Sequence, residues 1–320
     1  MPTRQNKWNF YNYQPTTTVT NRLKGMNRLD GFVRLMRPIN CTMMGFAVFV
    51  GAILAGIAPT QSTLPQLSNL NWLNILFGFI TGFTFCAAAM VINDYYDRKI
   101  DAINEPQRPI PSGVVKPKEA LAFMAVLIVV GFVFSLLVAP FGLLCFIVAA
   151  ASLAITATYL TVGKRTGLPG NFLVSACVAI PFIYGSVTVI GTVGLNVVLF
   201  ASMAFLSNTG REITKGIVDV KGDRSENVKT LAVRYGENKA ALTAAIFYVA
   251  AVVLTPVTWF LGLVGVWFIP FVLVTDVGLV GCSALLLLDH SREKARRIKN
   301  IVLLLFLIGL IAYIFGVIKP

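Results

Sequence analysis

The sequence has little charge, a single histidine and no cysteine cluster, and each scarcity excludes something. Of 320 residues only 13% are charged, about half the share usual in a soluble domain, so this chain does not present a water-covered surface throughout. One histidine, His290, leaves no His-paired catalytic set and no His-rich metal site. The five cysteines (Cys41, Cys86, Cys145, Cys177 and Cys282) stand apart in apolar stretches without metal-ligand spacing. An odd, unclustered set builds no disulfide framework, and such residues act as small hydrophobes. The segment up to Arg37 is polar and basic with no apolar centre, which excludes a cleavable secretion signal.

What the chain does have is apolar length: 56% of its residues are hydrophobic. Runs occur at Pro38–Ile57, Trp72–Ile92, Ala120–Val138, Phe141–Leu160 and Phe172–Ile190. A shorter one at Leu195–Leu206 precedes Ala240–Leu261, Val266–Leu288 and Ile301–Ile318. Most approach the about 20 residues that a helix needs to cross a bilayer. Helices satisfy their own backbone groups in lipid, whereas a barrel would show period-two alternation. The expected fold is therefore all-α, a polytopic membrane protein with nine transmembrane helices over residues 28–320. Residues 1–27 are expected to be a polar basic tail, disordered to about Thr20, with an amphipathic lead-in following within the segment up to Arg37. Pro140, Gly191, Gly194, Gly262 and Gly265 mark tight turns between neighbours.

The net charge of +13 suggests nucleic acid only until it is sorted by loop. With alternating helices, 26 of the 27 Lys and Arg residues fall on one side and Lys319 alone on the other. The positive-inside rule then places the N-terminus in the cytoplasm and the C-terminus outside a cell membrane. The basic linker Arg292–Lys299 reads as part of that orientation signal, with room for anionic lipid contacts. The longer outer loop, Ala58–Asn71, carries no charge.

Two cytoplasmic segments add carboxylates. If the second helix continues past Ile92, Asn93, Asp97 and Asp101 recur at i, i+4 and i+8, and with Asp94 fall within an arc of roughly 100°. Carboxylates on one face repel unless a cation sits among them. Hard oxygens with few protein contacts suit Mg²⁺, which shares itself with waters and substrate phosphates. In the second segment Glu212, Lys215, Asp219 and Asp223 stand at i, i+3, i+7 and i+11, one narrow helical stripe. Gly216 and Gly222 weaken its last turn, which leaves Asp223 the least secure member. The bland alternative for each segment is a solvated, ion-paired helix end. Together they form two acidic ledges able to hold Mg²⁺ and a diphosphate leaving group at an apolar cavity. The segments follow the second and sixth helices, as two related four-helix halves plus a ninth helix would arrange them.

The Asn-Asp-x-x-Asp-x-x-x-Asp run, with its Arg-Pro-x-Pro-Ser-Gly sequel (Arg108 to Gly113), resembles the first signature of the UbiA superfamily of intramembrane prenyltransferases. The Asp219-x-x-x-Asp223 stripe is similar to the second. The likeness runs from about Phe32 to the C-terminus and implies a helical bundle around a central cavity. Within the superfamily, Arg37–Cys41 and Gly210–Gly216 look most like the archaeal digeranylgeranylglyceryl phosphate synthases. Those enzymes move geranylgeranyl from its diphosphate to geranylgeranylglyceryl phosphate in ether-lipid synthesis.

The resemblance implies one Mg²⁺ on Asn93 and Asp97 and a second on Asp219 and Asp223, with Asp94 and Asp101 as supporting acids. It implies that Arg108, Lys164, Arg165 and Lys215 meet the diphosphate or the acceptor's phosphate. Tyr159 and Asn171 resemble family residues flanking the basic pair, and Arg37 and Glu212 join the substrate-binding set through their motifs. The implied partners are an isoprenyl diphosphate, a lipid-like acceptor and the bilayer, with no nucleic acid. No general base emerges; Asp94 and the departing diphosphate are the candidates.

Two rival readings remain. One is an aromatic-acceptor prenyltransferase of quinone or haem biosynthesis. The other is a transporter, which tends to place acids at the midplane, whereas here only Asp276 lies there. Asp276 reads as a hydrogen bond to another helix, Tyr95 and Tyr96 as interfacial anchors, and His290 as an ordinary exposed residue.

Overall fold

The computed structural model describes residues 27–56, 70–225 and 228–316. The expected disordered tail, most of the uncharged loop Ala58–Asn71, and Lys319 lie outside them. A nine-residue helix α1 (Arg28–Met36) starts at Asn27, whose side-chain oxygen accepts the Asp30 amide at 2.8 Å. This satisfies one of the amides that a helix start leaves unpaired. Then come α2 (Pro38–Gly56), α3 (Trp72–Asn104), α4 (Pro117–Leu136), α5 (Gly142–Thr161) and α6 (Leu168–Ile190). A 3₁₀ turn, Gly163–Arg165, joins α5 to α6. The chain continues through α7 (Leu195–Val218), α8 (Val220–Ser225), α9 (Leu231–Tyr235), α10 (Glu237–Phe260), α11 (Phe268–Leu288) and α12 (Arg292–Gly316).

Eight helices (α2 to α6 and α10 to α12) are long and apolar enough to cross a membrane, so this is an integral membrane protein. The helix α7, 24 residues long, fails that measure, and the expected count of nine spans reduces to eight clear ones among the described residues. The sequence suggested only a short run to Leu206, but the helix continues because its polar half is satisfied inside the protein. Ser207, Asn208, Thr209 and Thr214 are all buried. Asn208 and Thr209 reach Ser175 at 3.1 and 2.9 Å, and Thr214 meets the Tyr248 hydroxyl at 2.9 Å. Hydropathy undervalues side chains whose hydrogen bonds are made internally. The basic linker likewise proves to be helical, forming the first turns of α12.

The helices close into two rings. In the first, packing runs from α2 through α3, α4, α5 and α6 and back to α2. In the second, α7 packs on α10, α10 on α11, α11 on α12, and α12 on α7. The contact of α6 with α7 joins them. The crossing of α2 with α6 is very close: a Cβ on Gly51 would lie 2.0 Å from the Phe182 carbonyl oxygen, and one on Gly185 2.0 Å from that of Val48. Small residues permit this approach where lipid offers no hydrophobic drive to associate. Asn74, also buried, donates to the carbonyls of Ala139 and Thr188 at 2.7 and 3.1 Å, which ties the α4–α5 turn and α6 to α3.

Helix α3 has 33 residues, about 50 Å at 1.5 Å per residue, well beyond a hydrocarbon core of about 30 Å. Its last turns carry Asn93, Asp94, Asp97 and Asp101 out of the apolar layer on a rigid stem, as the i, i+4, i+8 spacing requires.

Candidate active site

The charged ends of α3, the α5–α6 turn and α7 converge over a cavity of about 480 Å³ inside the first ring. Its walls come from α2, α3, α5 and α6 and are mostly apolar, with Met44, Phe85, Met90, Leu153 and Val178 among them. Five sequence-predicted residues line it: Arg37, Asn93, Tyr159, Lys164 and Lys215.

At the mouth, Asn93 donates to Asp97 at 3.1 Å. The Lys164 ammonium, carried by the 3₁₀ turn, donates to the side-chain oxygens of both, at 3.1 Å for Asp97. Two hard oxygens therefore converge on one cationic group, the donor chemistry that Mg²⁺ accepts.

A second network lies behind this one. The Asp94 carboxylate, 4% exposed, takes Arg37 at 2.6 Å and Arg108 at 3.4 Å on the same oxygen, and Arg108 also meets Asp101 at 2.7 Å. Burial makes such pairing obligatory, because an uncompensated carboxylate there would be costly. Arg37 is the one non-glycine residue with a positive φ among those described (φ 51°, ψ 69°), at the break between α1 and α2. Strain of this kind persists only where surroundings hold it, and the Asp94 ion pair is such a restraint. Arg108 is placed by the turns that follow α3, where Ser112 donates its amide to the Arg108 carbonyl at 3.0 Å. Both guanidiniums keep about a third of their side-chain surface exposed, so each retains N–H donors for an anion.

The second acidic ledge differs from expectation. Helix α7 ends at Val218, Asp219 is its C-cap, and the chain restarts as α8. The continuous stripe through Asp223 is therefore interrupted at Asp219 rather than weakened near Gly222. The Asp223 amide donates to the Asp219 carbonyl at 2.9 Å and keeps the two adjacent. Glu212, 12% exposed, pairs with Arg211 at 3.1 Å and Lys215 at 3.2 Å. Among the described residues no three His, Cys, Asp or Glu side chains form a ready metal cluster. Neither Arg165 nor Asn171 lines the cavity. Arg165 instead accepts the Lys229 amide on its carbonyl at 3.3 Å, and the Asn171 amide donates to the Gly167 carbonyl in the first turn of α6.

The sequence reading missed the cavity walls. Thr81, Ser152, Thr156, Cys177 and Tyr184 all face the cavity, and polar or small residues repeated on one face of apolar helices were the available signal. Ser152 and Thr156 stand at i, i+4. Asp276 does bridge helices: Thr255 on α10 donates to it at 2.6 Å. Tyr95 lies under the Arg98 guanidinium, 4.4 Å from the ring centre.

Known proteins of one family resemble this chain in sequence and in fold. The UbiA prenyltransferase family matches residues 48–310. The digeranylgeranylglyceryl phosphate synthase of Natronomonas pharaonis is 39% identical over 242 residues, covering 75% of this chain and 81% of the relative. A solved structure, described as giving insights into the biosynthesis of digeranylgeranylglyceryl phosphate synthase in membranes, is 31% identical. It covers 92% of this chain and 100% of its own, with a TM-score of 0.79. A UbiA homologue from Archaeoglobus fulgidus bound to GPP and Mg²⁺ shares the fold, with a TM-score of 0.56 at 16% identity over 88% of this chain and 99% of that one. The family match over residues 48–310 of 320, together with relatives more than 30% identical over most of the chain, places this chain in the UbiA prenyltransferase family.

Proposed function

We propose that the protein transfers geranylgeranyl from geranylgeranyl diphosphate to the free hydroxyl of geranylgeranylglyceryl phosphate, in a Mg²⁺-dependent step of archaeal ether-lipid synthesis. The observation that carries this reading is the junction of an apolar cavity with a mouth of hard oxygens and cationic side chains. The names of the relatives support the glyceryl phosphate acceptor over an aromatic one.

Asn93 and Asp97, with Asp219 and Asp223, would hold Mg²⁺, which when bound neutralises charge building on the diphosphate. Lys164 and Lys215 add positive charge at the same mouth. Arg37 and Arg108, fixed by Asp94 and Asp101, offer N–H donors to a phosphate. The allylic C–O bond breaks with its electron pair leaving on the diphosphate. The acceptor hydroxyl oxygen then forms the new C–O bond. Tyr159 lines the cavity, where its π face can stabilise positive charge on the allylic carbon. The apolar walls keep water from capturing it. Asp94 is committed to two guanidiniums, so the hydroxyl proton passes to the departing diphosphate.

The reading extends to topology. Helix α7 is the ninth crossing, its polar half shielded by α6 and α10, and the mouth faces the cytoplasm with the basic loops.

The test uses purified protein with geranylgeranyl diphosphate, Mg²⁺, and either geranylgeranylglyceryl phosphate or 4-hydroxybenzoate. Diphosphate release with the glyceryl phosphate is the expected result. Release only with the benzoate, or with neither acceptor, overturns it.

A further inference from the structure

The basic linker between α11 and α12 sends one side chain to the second ledge. A helix end leaves its last carbonyls without partners inside the helix. At the end of α7, the carbonyl of Val218 accepts Nε of Arg292 at 3.0 Å, from a residue 74 positions further along the chain. That carbonyl shares a planar peptide unit with the Asp219 amide, and the Asp219 amide donates to the Lys215 carbonyl at 3.0 Å. The peptide entering Asp219 is thus held on both sides. Asp219 itself has φ −99° and ψ 5°, away from helical values, so the chain turns out of α7 at this residue. The direction of that turn follows from the peptide that Arg292 holds.

Packing delivers Arg292 to this place. It is the first residue of α12, and Ala295 and Ile298 behind it are fully buried in one cluster with Ile217 and Val218 of α7. The turn before it is tied as well: the Ser291 amide donates to Asp289 at 2.9 Å, and the Ser291 carbonyl accepts the Ala295 amide at 2.9 Å. A guanidinium at a helix C-terminus also complements the helix dipole. Orientation in the membrane needs the charge of this linker but no aimed donor, so it leaves the bond to Val218 unexplained.

We propose that Arg292 is a positioning residue for the second ledge, and that by holding the Val218–Asp219 peptide it aims the Asp219 carboxylate for Mg²⁺. The inference rests on the assignment of Asp219 to Mg²⁺ in the proposed reaction. Arg292 touches no reacting group and acts through Asp219, as outer partners orient the ligands of a metal. It also gives the second ring a part in the reaction, since α12 belongs to that ring.

Two measurements on the purified full-length protein test this, and neither is turnover. The first is hydrogen exchange, without metal, in the peptide covering residues 215–224. Arg292→Ala should speed exchange there about fivefold, the scale of one lost hydrogen bond. The second is calorimetric binding of the non-hydrolysable geranylgeranyl thiolodiphosphate at graded Mg²⁺. Arg292→Ala should raise the Mg²⁺ concentration for half-maximal binding about tenfold, as loss of an outer partner does. Arg292 is exposed, so its truncation leaves the buried cluster in place. Arg292→Lys, whose ammonium still reaches a helix-end carbonyl, should recover most of both losses. Arg296→Ala removes the same charge from the same linker and should change neither readout. Unchanged exchange in Arg292→Ala overturns the inference. So does faster exchange with an unchanged Mg²⁺ requirement, which makes Arg292 a structural cap alone, and so does an equal effect of Arg296→Ala, which reduces it to charge. Asp219→Ala separates the inference from its premise: it should raise the Mg²⁺ requirement at least as far as Arg292→Ala. No change in Asp219→Ala overturns the Mg²⁺ assignment itself, and the inference with it.

Discussion

The first ring of helices, five in number, encloses a cavity, whereas the described side chains of the second, of four helices, pack closely around Tyr248. In the second, Tyr248 is fully buried and its hydroxyl meets Thr214. A Cβ on Gly210 would lie 2.7 Å from the Tyr248 ring. Ala240, Ala241, Ala244 and Ala245 let α10 approach its neighbours. In the first ring, Ala89, Ser152 and Thr156 face open space. The carboxylate ledges differ as well. In the first ring the acids ride one unbroken helix through Asp101, while in the second the helix stops at Asp219. A closed ring of helices therefore does not by itself make a cavity; the interior side chains decide whether one opens.

The sharpest way to break this comparison is at the ledges. Asp97→Ala is expected to lower the rate of diphosphate release by about a thousandfold, the scale of losing a charge-stabilising group. Asp219→Ala should do the same if the interrupted ledge still holds Mg²⁺. A loss in Asp97→Ala beside near-normal release in Asp219→Ala would make the first ring the whole site.

Packing gives the next effect. Tyr248→Ala should destabilise the protein by about 3–5 kcal/mol, as large aromatic truncations in filled cores do, read from unfolding in SDS. Ser152→Ala, on the cavity wall, should stay within about 0.5 kcal/mol. Equal losses would mean that the second ring is not the more closely packed one.

Asp94→Asn should leave Arg37 and Arg108 less restrained, at about 1.5–3 kcal/mol for charged hydrogen bonds, roughly a 10- to 150-fold effect. The loss should appear mainly as a higher KM for the acceptor. A loss confined to kcat would point to Asp94 as a proton acceptor instead. Among the changes that remove a contact, the smallest loss is expected from Tyr248→Phe, which gives up only the Thr214 hydrogen bond, about 1 kcal/mol, without changing donor affinity.

Much of this was legible from residue types. The apolar runs placed the bilayer helices, and the Asn93–Asp101 spacing anticipated one helical face. The structure confirms that α3 continues unbroken through those residues. Helix α7 was shortened because hydropathy counts Asn208 and Thr209 as surface, although Ser175 receives both. The second stripe was drawn through Asp219 because spacing alone does not reveal a C-cap. The cavity walls escaped notice because Thr81, Ser152 and Tyr184 become neighbours only when three helices meet.

The sequence by itself determined the membrane class, the segregation of charge by loop and the acidic face of α3, since these depend on local composition and helical period. Tertiary structure alone decided that Arg37 meets Asp94 and that Lys164 meets Asn93 and Asp97, because those partners lie 57 to 71 residues apart along the chain. It also decided where empty space remains. A void is a property of several helices packing together, and no single run of residues encodes it.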